Sequence, residues 1–82
     1  MHFSLKDYEI EQLAMMEHER WLRDLVADGW TRGPVRDEEN RRHPDLDSWD
    51  NISDAAKEKD RDTVRNLPRI LATAGFQIVR VG

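Results

Sequence analysis

The side chains able to do chemistry in this chain are three histidines (His2, His18 and His43), a surplus of carboxylates and ten arginines. Catalysis needs such groups at defined spacings, and here the spacings fail one after another. His18-Glu19 would begin a zinc-protease helix if a second histidine followed one turn later, but position 22 is Leu. No G-x-S-x-G elbow occurs, and no glycine-rich loop ends in Lys followed by Ser or Thr. Gly29 and Gly33 do not form a dinucleotide fingerprint. Asp45-Leu46-Asp47 starts like a calcium loop. It breaks at Trp49, at Asp50 where the turn glycine is required, and at Ala56 where a glutamate would close it. Nothing in the spacing of the histidines brings them together on a metal. The chain has no cysteine, which excludes a disulfide and a thiolate zinc site. The expectation is therefore no catalytic residues, no metal, no cofactor and no enzymatic step.

The elements that must position these residues are few. Eighty-two residues with 38% apolar side chains support one modest core. Ser4 to Asp28 reads as a helix, with Ser4 or Asp7 as N-cap and Asp7, Glu9 and Glu11 at its positive end. Ile10, Ala14, Trp21 and Leu25 form its apolar stripe, widened by Leu13, Leu22 and Val26. His18 shares that side, as a buried residue whose ring nitrogens bond a loop or a carboxylate. Gly29 stops the helix, and Trp30 folds back toward Leu25. Residues 31–51 are polar and broken by Gly33-Pro34 and His43-Pro44. They read as a long ordered loop pinned by Val35, Pro44, Leu46 and Trp49. A second helix starts at Ser53. Its stripe is Ala56, Thr63, Val64, Leu67, Ile70, Leu71 and Ala74, it is kinked or split at Pro68, and it closes at Gly75. Phe76 to Val81 reads as a short strand, with Trp30–Arg32 or His2–Leu5 as its partner. The fold class is α+β, mostly α: two long antiparallel helices, a long ordered loop and short β-strands near the termini.

No segment is long and apolar enough to span a membrane, and the N-terminus does not read as a signal peptide, so a cytoplasmic location is expected. Seventeen acids against thirteen cations give a formal charge of −4, which argues against nucleic-acid binding. Ten of those thirteen cations are arginine, the side chain suited to bidentate pairing with carboxylate or phosphate.

One combination of motifs is distinctive. Ala14, His18 and Trp21 are followed by Gly29-Trp30-x-x-Gly33-Pro34-Val35-Arg36-Asp37 and by His43-Pro44-x-Leu46. Lys57, Asp60-Arg61, Leu67, Leu71 and Gly75 continue the pattern. Together these residues resemble the RyR domain, the repeat domain of ryanodine receptors, from about Leu13 to Ile78. The resemblance is to a stand-alone copy of prokaryotic or phage type, or to a domain from a longer protein. It implies a single domain over the whole chain and a recognition module, not a catalyst. Two positions depart from the pattern. Ser48-Trp49 stands where the family often has Pro and an aromatic residue, and Arg32 stands where channel repeats often carry an aromatic side chain.

The implied partner is a nucleotide-like small molecule. Trp30 offers a face on which a base can stack, Arg32 and Arg36 can pair with phosphate, as can Arg41 and Arg42, and Asp60 can accept from an amine or a ribose hydroxyl. Plainer roles compete. Trp21 belongs to the core, Trp49 anchors the loop, and Gly29, Gly33, His43 and Pro44 shape the turns. Arg36 with Asp37, and Asp60 with Arg61, form ion pairs that organise the loop, and Arg41-Arg42 is a solvated charge run. A second class of function is a protein–protein or domain–domain module that pairs with a neighbouring domain or with itself as a homodimer.

Overall fold

A computed structural model describes residues 3–82. Helix α1 spans Asp7–Ala27 and helix α2 spans Asp54–Thr73. Between them lie strand β1 (Thr31–Arg32), strand β2 (Arg42–His43) and a 3-10 turn at Trp49–Asn51. Glu11 contacts Arg61, His18 faces Asp60, and the start of the chain meets the last turns of α2. The helices are therefore antiparallel, and the fold is α+β, mostly α.

Each helix begins and ends for a local reason. Lys6, and neither Ser4 nor Asp7, holds the cap position of α1. Its ammonium has no lone pair with which to cap a helix. The end is satisfied in reverse: the Glu9 carboxylate reaches back and accepts the Lys6 amide at 2.9 Å. At the other end the Gly29 amide donates to Val26 and the Trp30 amide to Leu25, both at 3.0 Å. Gly29 takes φ +88°, the left-handed turn that such a stop requires. Helix α2 starts at Ser53, whose hydroxyl accepts the Ala56 amide at 3.1 Å. It ends like α1, with Gly75 at φ +89° and the Phe76 amide donating to Leu71 at 2.8 Å. Pro68 does not split α2, which runs through it as one helix. The missing proline amide leaves the Val64 carbonyl without its usual helical donor.

The expected strand at Phe76–Val81 does not form. That segment has no regular secondary structure and no strand partner among the described residues, and of its expected partners His2 lies outside them. Thr31–Arg32 pairs instead with Arg42–His43, in parallel, with Thr31 opposite Arg42 and Arg32 opposite His43. The strands thus lie in the loop, not near the termini. A parallel pair so close in sequence needs a tight reversal. The Asp37 carboxylate supplies it by accepting the Asn40 amide at 3.2 Å and the Asn40 side chain at 2.7 Å. Arg41 then takes φ +54°, and Arg42 exchanges two 2.9 Å backbone bonds with Asp37. Gly33 is required where the strands meet, because a Cβ there would lie 2.8 Å from the Arg42 Cβ.

The core is Ile10 and Ala14 of α1, Trp49 and Ile52 of the loop, and Val64 of α2, with Leu5 and Ala56 packed against it. Leu46 is buried as well, and Trp21, Leu22 and Leu25 are half-buried. Several expected contributors fall outside. Val35 is 66% exposed and anchors nothing, Leu13 and Val26 of the α1 stripe are exposed, and Thr63, Leu67, Ile70 and Ala74 of the second stripe face outward. Trp49, at 7% exposure, ties the loop to both helices. Trp49→Ala should cost about 3–5 kcal/mol, a large share of the ~5–15 kcal/mol typical of a domain. Val35→Ala should stay within ~0.5 kcal/mol. Urea denaturation followed by circular dichroism checks both; equal losses would contradict the anchoring assigned here.

Candidate functional site

His18 and Trp21 lie one turn apart on α1 and so project toward the same part of the loop. His18 is 3% exposed, and a buried imidazole needs a partner. Its Nε2 lies 2.7 Å from the Asp47 carbonyl oxygen. A carbonyl only accepts, so Nε2 carries the proton and donates. Nδ1 then faces the Asp60 carboxylate at 3.8 Å. Burial raises the Asp60 carboxyl above the usual aspartate range; nearby Glu17 and Asp45 add to the rise, and His18 opposes it.

His43 is fixed in turn: its Nδ1 accepts the Asp45 amide at 3.0 Å, which places its proton on Nε2. Its ring meets Trp21 edge-on at 5.0 Å. Trp21 stands 5.7 Å from His18, and His18 6.0 Å from Trp49. Four rings thus run in sequence from the β2 end of the loop to the core. Arg61 closes the row. It grips Glu11 through two bonds of 2.7 and 2.9 Å, and its guanidinium lies 5.6 Å from the Trp49 ring. The Arg61 bond holds the Glu11 carboxyl below its ordinary range.

Where α1 meets the loop, Trp21, Leu25, Trp30, Arg36, Glu38 and His43 line a cleft of about 230 Å³. Trp30 is half-buried there, placed by the glycine stop that bonds its amide back to Leu25. Arg36 and Glu38 pair at the rim, Nε to carboxylate 2.7 Å. Both are more than half exposed, so the pair is weak and can open toward a ligand.

The four residues expected to bind a ligand are not gathered in one place. Trp30 and Arg36 share the cleft. Arg32 lines a separate groove with Gly33, Pro34 and Pro44 and lies 3.6 Å from the Asp47 carboxylate. Asp60 sits beside His18 under the loop. Neither expected ion pair forms. Arg36 takes Glu38 in place of Asp37, and Arg61 takes Glu11 and Glu58 in place of Asp60. Arg41 is not merely solvated: its guanidinium donates to the Asp28 carbonyl at 2.7 Å, supplying a cation to an α1 whose last turn has none of its own. Glu38 is a cleft residue that the sequence did not single out as a ligand contact. Leu25 stands where it was expected, since the residue two past a helix cap meets the one three before it.

These features define a small helical module whose loop is built into its core. The family model of the RyR domain matches residues 4–80, nearly the whole chain, and the chain belongs to the RyR domain family.

The His18–Asp60 pair makes a pH prediction. A carboxyl whose folded pKa is raised contributes stability below its unfolded value, near 3.8, and that contribution is lost as pH rises through the higher folded value. Asp60→Asn removes this loss. The stability of the variant relative to wild type should climb as pH is raised from about 3 toward 7. His18→Ala should destabilise at every pH, because it strands the Asp47 carbonyl. Denaturation midpoints across that range test both; a flat Asp60→Asn difference would remove the argument.

Proposed function

We propose that this RyR-type module is a non-catalytic recognition domain that takes a nucleotide-like small ligand in the Trp30 cleft. The observation that carries the reading is the half-buried Trp30 ring in a walled cleft with Trp21 and His43, under a rim that offers both a donor and an acceptor. A cleft of about 230 Å³ suits a base or a similar ring system and leaves phosphates outside. The base lies against Trp30, Arg36 donates to an acceptor edge or a phosphate, and Glu38 accepts from an exocyclic amine. Arg32 is the register partner of His43 and fits a second phosphate contact at the neighbouring groove. Asp60 takes no part in this version of the site.

Stacking on an aromatic ring is worth ~1–3 kcal/mol per base, so Trp30→Ala should weaken a binding nucleotide about 5-fold to 150-fold. Titration calorimetry with mononucleotides and cyclic nucleotides measures it. No heat from any of them, or binding indifferent to Trp30, would end the proposal.

The alternative is a protein–protein or domain–domain module that can self-pair. The apolar side chains left exposed on the far half of α2 and the chain after it favour it: Leu67, Ile70, Phe76, Val79 and Val81. Light scattering at high concentration separates the two; a strict monomer removes self-pairing. Among the described residues no helix is long and apolar enough to cross a membrane; the proposed setting is the cytoplasm.

A further inference from the structure

We infer that the opposite end of α1 from the Trp30 cleft carries a docking groove for a partner segment that combines bulky apolar side chains with a carboxylate. The groove encloses about 800 Å³. Leu5 and Ile10 form one wall, Pro68 and Ala72 of α2 the floor, and Phe76 with Ile78 the other wall. Its origin is geometric. Helix α1 begins only at Asp7, so the last turns of α2 run beside non-helical residues that bring too few side chains to cover them. Phe76 cannot retreat: its amide is bound to Leu71 by the helix stop, and the residue stays 65% exposed.

The far wall is tethered. The Arg80 guanidinium donates to Glu9 at 2.8 Å and to the Ser4 carbonyl at 2.8 Å, and it lies 4.7 Å from the Phe3 ring. The groove is thus held at both edges.

Charge selects the occupant. Among the described residues, two arginines and no carboxylate line the groove, in a chain whose formal charge is −4. Arg65 is engaged by Glu58 and Asp62 at 2.6 and 2.7 Å. Arg69 bonds only the neutral Asn66 amide oxygen, at 3.1 Å, among the described residues. Its charge is therefore open to an incoming carboxylate. A single such cation on an acidic protein is too little to hold an anionic bilayer, which needs a cluster of basic residues. A peptide segment supplies both the apolar anchors and the matching acid.

The test uses fluorescence anisotropy on the whole chain with two labelled peptides. One alternates leucine or phenylalanine with glutamate, and its twin carries lysine in place of glutamate. The acidic peptide should bind saturably and about fivefold or more tighter than the twin. Arg69→Glu should reverse that preference. Ala72→Trp, at an exposed helical position, should fill the groove and abolish binding. Trp30→Ala should leave peptide binding unchanged, which separates this inference from the nucleotide proposal. Equal affinity for the two peptides, no saturation with either, or indifference to Arg69→Glu overturns it. So does concentration-dependent dimerisation that Ala72→Trp abolishes, since the occupant would then be a second copy of this chain.

Discussion

A buried imidazole cannot be left unbonded, and that requirement organises this molecule. His18 points from α1 into a loop of polar residues and donates to the Asp47 carbonyl at 2.7 Å. An unmade bond there would strand a donor and an acceptor away from water, at ~1–3 kcal/mol each. Asp47 is thereby held against the helix, and its neighbours follow. Leu46 and Trp49, on either side, are carried into the interior. Asp45 fixes His43 through its amide, and His43 presents its ring to Trp21. The long connection behaves as a wall of the core because it is attached at the middle as well as at its ends.

The second layer of attachment is electrostatic and comes from the loop to the helix. α1 ends without a basic residue in its last turn, and Arg41 arrives from the loop to bond the Asp28 carbonyl. The left-handed backbone of Arg41 is what lets Arg42 turn back and bond Asp37. One residue thus completes a helix and reverses the chain. The Trp30 cleft lies inside this arrangement, so its walls are set by the same bonds that hold the loop.

Much of this was legible in the residues. Gly29 and Gly75 marked the helix stops because a left-handed residue there is nearly always glycine, and Ser53 marked a start because its hydroxyl can cap. The place of Trp30 beside Leu25 followed from the stop itself. What could not be read has physical causes as well. FQIVRV has strong strand preference, but that preference reflects packing against a neighbour strand, and here Arg80 is drawn off to Glu9. The two-residue strands carry no periodicity, and their register depends on a reversal made by Asp37 and Asn40 side chains. Arg32, Arg36 and Asp60 sit on β1, in the reversal and on α2, so which of them meet depends on the three-dimensional path of the loop. Val35 looked like an anchor by type alone, yet its position in the reversal turns it to water.

Pro68 gives the two halves of α2 different mechanical characters. Upstream, the helix is locked to α1 by Glu11–Arg61 and by Val64 in the core. Downstream, the ladder of amide bonds is interrupted at the proline, and the remaining turns hold few buried side chains. Amide protons beyond the interruption therefore exchange with solvent through local fraying, while those before it wait for global opening. The last turns of α2 can fray without loosening the imidazole clamp or the tryptophan cleft.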